Sequence, residues 1–401
     1  MNTTTTEEAV DKHALVFGLI SAFLCGLGFT VVAPVLPFLV KPYVSSDSQQ
    51  ALMVTFLVSV YAFCVFFAAP AFGALSDKFG RRPILIFCLL GSSLGYLTFG
   101  IGGALWVLFV GRIIEGITAG EIGTIFAYFA DIIPASQRTK YFGWLSATVG
   151  LATIMGPSIG GLLAHFDNRL PLFAGAVVTL INALYGLFLM PESLAKDKRL
   201  DSIEISRLNP FSQLVKLLSM RNISYLLLSG FLVWLPNGSL QAICPQLSLD
   251  TFAWKPIMIG ILFSVMGIQT IFSQAVIMPR LLKRFNDQQI ARIGLSAGVI
   301  GYALLGVATL AVQPVLFFVG IFVFAFSNAI FGPAFNGMLS KSVSASEQGR
   351  VQGGSQAIQA LALMFGPLLG GQLYILISHS APSFTGAILV LIAIIILAKK
   401  A

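Results

Sequence analysis

Gly73-Ala-Leu-Ser-Asp77-Lys-Phe-Gly80-Arg81-Arg82-Pro83 lies between two long apolar segments. A turn this short and this charged, bracketed by glycines and flanked by two stretches of membrane-crossing length, belongs at a bilayer surface. Gly73 and Gly80 permit a tight backbone path and close helix approach, because glycine tolerates positive φ and adds no side-chain bulk. Asp77 is placed to pair with an arginine or to face a helix N-terminus, and Arg81 and Arg82 to stay on the cytoplasmic side.

Composition leads the same way. Apolar residues make up 57% of the 401-residue chain and charged residues only 10%, with a mean hydropathy of +0.89. Soluble domains carry roughly 25% charged residues, so the bilayer has to act as the solvent for this chain. The net charge of +8 sits in loops at one membrane face, which excludes a nucleic-acid partner. Cys25, Cys64, Cys88 and Cys244 all fall inside apolar segments without metal-ligand spacing, and read as small packing residues.

Twelve apolar segments approach the roughly 20 residues that a crossing helix needs: 14–40, 51–75, 83–101, 105–130, 140–163, 171–190, 222–245, 256–280, 288–311, 314–340, 349–377 and 383–398. They are numbered here as spans 1 to 12. The first follows Glu7, Glu8 and Asp11 and lacks a small-residue cleavage site, so it is expected to be a retained helix. With the N-terminus inside, twenty of the basic residues fall in inside segments and only Lys41, Arg169 and Lys255 outside. This bias predicts that both termini are cytoplasmic.

The polar stretch 191–221, with a surface helix expected near 210–220, separates six spans from six, giving halves 1–190 and 222–401. The halves repeat. At an offset of 210, Gly156-Pro157-Ser-Ile-Gly160-Gly161 aligns with Gly366-Pro367-Leu-Leu-Gly370-Gly371, and Gly143 with Gly353. The segment from Arg280 to Asp287 reads as a worn copy of the 73–83 turn. The expectation is an all-α membrane protein of twelve transmembrane helices in two pseudo-symmetric six-helix halves, with substrate bound between them.

The 73–83 turn resembles the loop between helices 2 and 3 of major facilitator transporters. Gly150 to Gly161 is similar to the helix 5 motif of proton-driven exporters in that superfamily. Its glycines are expected to pack tightly, and Pro157 to bend or stiffen the helix. Arg112-Ile-Ile-Glu115-Gly116 resembles their helix 4 motif, and the stretch Ala135 to Leu145 resembles Tet-type tetracycline exporters. The resemblance implies a drug:proton antiporter of the bacterial inner membrane. One departure stands out. Tet-type pumps carry acids in helices 1 and 3, where this chain reads Leu19-Ile-Ser21-Ala22-Phe23 and Ser92-Ser93-Leu94-Gly95-Tyr96.

All acid within the expected spans lies on span 4, as Glu115 and Glu121, with Arg112 one turn before Glu115. Ionisable groups at that depth cost roughly 2.5–3.5 kcal/mol on insertion scales and mark functional sites. Arg112 and Glu115 are spaced to pair. On a continuous helix Glu121 lies about 240° further round and points elsewhere. Desolvation disfavours a carboxylate there and a guanidinium favours it, so a proton could be loaded facing one side and released facing the other. The plainer alternative is a structural Arg112–Glu115 pair beside a permanently protonated Glu121. His13, His165 and His379 lie outside the spans and are not placed as relays.

Gln352, Gln356 and Gln359 form a stripe on span 11, with Gln269 and Gln274 on span 8, Asn237 on span 7, and Asn328 and Asn336 on span 10. Together with 34 Phe, Asn237, Gln269, Asn328, Gln356 and Gln359 suit a cavity for amphipathic molecules, although amides also tie membrane helices together. No phosphate-binding glycine loop, metal cluster or nucleophile–His–acid arrangement occurs, so neither an enzyme nor a cofactor is expected. The reading is a monomeric proton-coupled exporter of drug-like or metabolite substrates. A proton-coupled importer of a nutrient or siderophore is the alternative, and a transporter-like membrane sensor a more distant one.

Overall fold

The computed structural model describes residues 12–134, 137–200, 202, 221–342 and 348–398. The chain is helical throughout, with no strand among the described residues. Spans 2, 3, 5 and 6 are Asp47–Phe79, Arg81–Ile101, Arg138–Leu163 and Leu170–Leu189. Spans 7, 9, 10, 11 and 12 are Arg221–Phe252, Asp287–Ala311, Pro314–Lys341, Gln348–Leu376 and Ala381–Ala398. Span 8 runs as Pro256–Phe272, a π-helical turn at Ser273–Ile277, and Met278–Leu282. Two crossings are interrupted: span 1 is Lys12–Val31 followed by Leu36–Val40, and span 4 is Leu105–Ile117 followed by Glu121–Ile132. All twelve expected segments therefore correspond to helix, while the surface helix expected at 210–220 lies outside the described residues.

Local chemistry sets the helix ends. The Ser46 hydroxyl accepts the Gln49 N–H at the start of span 2, and Asn286 and Gln289 form a reciprocal cap on span 9. Proline opens spans 6, 8 and 10, where its missing N–H costs nothing. Gly80 separates spans 2 and 3 with φ of +107°, a conformation that glycine adopts without strain. Large apolar side chains such as Ile181, Phe188, Leu310 and Ile388 point outward, as required where lipid replaces water.

The end that carries Asp77 and Lys341 is called here the near end, and the end that carries Tyr43 and Val312 the far end. Within each half the first span packs on the fifth, and the third on the fourth and sixth. Between the halves, span 2 packs on span 11 and span 5 on span 8, so the two seams are related by the internal repeat. The glycine motifs build both. A Cβ on Gly156 or Gly160 would collide with Thr30 or with the Val31 carbonyl of span 1, and one on Gly161 would lie 2.7 Å from the Pro256 carbonyl oxygen of span 8. At the offset of 210, Gly366 and Gly370 meet Leu235 and Ser239 of span 7, and Gly371 meets Thr55 of span 2. The Ser158 and Ser264 hydroxyls, 2.5 Å apart, add a polar tie across the 5–8 seam.

Two glycines depart from the sequence expectation. A Cβ on Gly73 or Gly150 would have no atom within 4 Å, so neither is at a close helix approach in this conformer. Span 7 also continues past residue 245 to Phe252, which puts Asp250 within that helix, close to its far end.

Candidate functional site

Span 4 breaks where Thr118, Ala119 and Gly120 follow one another. The Thr118 hydroxyl donates back to the Ile114 carbonyl at 2.8 Å, competing with the helix ladder. Gly116 and Gly120 sit where a Cβ would crowd Cys64 and Phe72, so the backbone itself packs against span 2. The break leaves Glu121 in the first turn of the second segment, at the positive end of a helix dipole.

The break also re-aims the carboxylates. Arg112 and Glu115 pair as the spacing predicted, with Nη1 to Oε2 at 2.8 Å and both side chains buried. The guanidinium lies over the rings of Tyr61 and Phe99, at 5.3 and 5.1 Å. Glu121 accepts a hydrogen bond from Ser92 of span 3 at 3.2 Å. The Glu115 backbone crosses Gly95 of the same span, where a Cβ would lie 2.9 Å from Glu115 N. Ser92 and Gly95 are one turn apart, so both glutamates lie against span 3, Glu121 through its carboxylate and Glu115 through its backbone. The helix is interrupted between them, so the 240° of a continuous helix does not apply. Glu115 Oε1, Glu121 Oε2 and Arg112 Nε are each buried without a hydrogen-bond partner among the described residues. Unpaired buried oxygens are costly, and a carboxyl in that position can carry a proton.

A second charged cluster stands at the near end. Arg81 bridges Asp77 at 2.5 Å and Asp131 at 3.0 Å and donates to the Ser76 hydroxyl at 2.7 Å. Glu192 accepts the Arg81 and Arg82 backbone N–H groups, at 2.9 and 3.3 Å, so the acid that caps span 3 is Glu192 and not Asp77. Ser193 donates to Asp131 at 3.0 Å, and Arg199 lies 3.6 Å from Glu192. The Arg82 guanidinium holds the Gly186 and Leu187 carbonyls at the end of span 6. Sequence reasoning missed Asp131 and Glu192. Asp131 does have a signal, since the repeat offset carries Asp77 to Asp287 and Asp131 to Lys341, and that pair closes at 2.5 Å in the second half. Arg292 likewise holds the Leu397 carbonyl at 3.3 Å, as Arg82 holds Leu187.

Of the predicted amides, Asn237 and Asn328 meet across spans 7 and 10 at 3.1 Å. Gln241 donates to Asn237 at 2.8 Å, and Asn328 donates to the Phe324 carbonyl. Gln269 is buried one turn before the π-helical segment, Gln356 is exposed and Gln359 half-buried. None of these three hydrogen-bonds to the Asn237–Asn328 pair among the described residues, so the structure does not gather the amides into one cluster. The side chain of Gln352 lies outside the described residues. Asp250, which sequence reasoning did not select, accepts from Tyr374 at 2.6 Å and Gln246 at 2.8 Å, and His379 stacks on the Tyr374 ring at 4.4 Å. This group is at the far end, away from span 4.

Residues 18–367 match the Major Facilitator Superfamily. The chain is 34% identical to the class C tetracycline resistance protein of Escherichia coli over 94% of its own length and 92% of that protein. It is 30% identical to the class H tetracycline resistance protein of Pasteurella multocida, over 96% and 94%. The crystal structure of the nucleoside transporter NupG shares the fold with a TM-score of 0.76 at 14% identity, covering 96% of this chain and 98% of that one. The chain belongs to the Major Facilitator Superfamily. It is a membrane transporter of small molecules and not an enzyme.

Proposed function

We propose that this protein is a proton-coupled secondary exporter of amphipathic, drug-like molecules, working by alternating access as a monomer in a bacterial inner membrane. Its halves are residues 1–190 and 222–401, joined by a cytoplasmic linker at 191–221, with both termini cytoplasmic. The observation that carries the reading is the broken span 4: a buried Glu115 paired with Arg112 and a half-buried Glu121, each with one enclosed oxygen free of hydrogen bonds among the described residues. Protonation gives such an oxygen a proton to donate and relieves an uncompensated buried charge. The tetracycline-resistance names of the relatives favour drug export over nutrient import.

The seams make this conformer the one closed at the far end, where Gly161 and Gly371 touch the opposite half. Opening there requires spans 5 and 8, and spans 2 and 11, to part. Gly73 and Gly150, which face open space here, then serve the opposite conformer, in which the near ends approach. The near-end cluster around Arg81 biases the switch between the two. Asn237, Gln269, Asn328, Gln356 and Gln359 supply polar contacts to substrate from the second half.

The absence of acids at Leu19–Phe23 and Ser92–Tyr96 leaves Ser92 as the partner of Glu121 and Ser21 as the partner of Asn182, at 2.9 Å. Coupling by carboxylates in this protein then rests on span 4. The test is reconstitution in proteoliposomes with a panel of tetracyclines, cationic dyes and amphipathic metabolites, following lumenal pH. Proton movement opposite to substrate supports export by antiport. Proton movement with substrate would favour the importer reading.

A further inference from the structure

Two cavities open at the far end, and the internal repeat relates them. The larger, about 550 Å³, is lined by residues that include Phe38, Tyr43, Phe99, Gly102, Asn168 and Arg169. The smaller, about 320 Å³, is lined by residues that include Asp250, Thr309, Val312, Ser378 and His379. At the offset of 210, Phe99 corresponds to Thr309, Gly102 to Val312, Asn168 to Ser378 and Arg169 to His379. Gly102 and Val312 both have positive φ, of +62° and +50°, but their ψ angles of −128° and +47° differ, so the related positions end their helices in different turns.

The chemistry differs at the charged positions: Arg169 and Asp167 of the larger cavity correspond to His379 and Ile377, and Asp250 of the smaller cavity to Val40. In the larger cavity Arg169 makes no ion pair among the described residues. Asp167 is turned to its own loop, accepting the Arg169 backbone N–H at 2.6 Å. The Tyr43 hydroxyl accepts the Gly103 N–H at 2.8 Å, which fixes the loop that forms one wall. The remaining wall is mostly apolar, with Phe38, Phe99 and Phe166 beside Leu39 and Leu108. Phe166 on the rim is 76% exposed and Trp106, at the same end of span 4, is 68% exposed. Exposed aromatics at this level mark a membrane–water interface. The smaller cavity has His379 in place of the arginine and presents the Asp250 carboxylate, which disfavours an anion.

We propose that the larger far-end cavity binds the acidic head group of an amphipathic molecule, a phosphate or carboxylate held by Arg169, with the apolar body against Phe38, Phe99 and Phe166. Its volume lies within the range of small-ligand sites, and a guanidinium forks onto two oxygens of such a group. This is a separate site from span 4 and does not depend on the export reading.

The test is native mass spectrometry of the full-length protein released from micelles carrying phosphatidylglycerol, phosphatidylcholine or oleate. The expected result is retention of phosphatidylglycerol or oleate and not of phosphatidylcholine. Retention of oleate alone identifies a free acid as the source of the head group, and retention of phosphatidylglycerol a lipid. Arg169→Gln is expected to weaken retention about tenfold, with partial recovery in Arg169→Lys and no change in His379→Gln. Phe166→Ser, a rim change that leaves the core untouched, is expected to weaken it about threefold. Equal retention of phosphatidylglycerol and phosphatidylcholine, or unchanged retention in both Arg169→Gln and Phe166→Ser, would overturn the assignment.

Discussion

Where span 4 carries Arg112, Glu115 and Glu121, span 10 carries Phe322, Ala325 and Phe331 at the offset of 210. Where span 4 breaks at Thr118, span 10 holds Asn328 and runs on unbroken from Pro314 to Lys341. The first half thus holds the buried charge of the central spans, and the second half offers the amide pair Asn237–Asn328 in the equivalent layer. Identical backbone plans can be loaded with different chemistry, because glycine contacts and helix ends fix the packing while the facing side chains are free to differ. The near end repeats the lesson. Arg81 reconciles two acids in the first half. In the second half the arginine is Ala291 and the second acid is Lys341, so the pair with Asp287 closes directly.

This comparison predicts a graded set of effects. The largest falls on the shared packing: Gly160→Leu and Gly370→Leu should each lose about 3 kcal/mol or more of stability, read as reduced folded yield and a lower Tm. Gly150→Leu should fold normally and lose transport, because its side chain obstructs only the opposite conformer. Normal transport in that variant would show that residue 150 never approaches another helix.

The next effect separates the two near-end clusters. Arg81→Ala leaves Asp77 and Asp131 facing each other. After allowance for the partial exposure of Asp77 (39% of its side chain) it should cost about 2 kcal/mol. Lys341→Ala removes a side chain that is 75% exposed and should cost less than about 1 kcal/mol. Equal shifts in Tm would mean that the repeat is mechanically symmetric after all.

The twelve crossings and the repeat were legible in the sequence because apolar length and glycine spacing survive without knowledge of neighbours. The break in span 4 was not, since Thr118-Ala-Gly120 sits within an apolar run and a helical count passes straight across it. Asp131 and Glu192 were missed because their partner Arg81 is distant in sequence, at 50 and 111 residues. Asp250 was lost with the last two turns of span 7, which hydrophobicity alone does not extend past Pro245. The far-end cavities are made by loops whose relation appears only when both halves are laid over each other.

The smallest effect belongs to the amides. Asn328→Ala should raise the KM for substrate about fivefold, roughly 1 kcal/mol for a lost hydrogen bond, and leave the pH profile of transport in place. A shifted pH profile in that variant would bring the second half into proton coupling and weaken the division drawn here.

Proton release on substrate addition, measured in proteoliposomes with the parent protein, Glu115→Gln and Glu121→Gln, tests that division most directly. The parent should release protons as substrate is exchanged. Glu115→Gln should bind substrate but release no protons and perform no uphill export, because an amide keeps the shape of the pair with Arg112 and cannot give up a proton. Loss of uphill export in Glu121→Gln alone would move the proton to the carboxyl beside Ser92. Normal uphill export in both variants would contradict coupling through span 4.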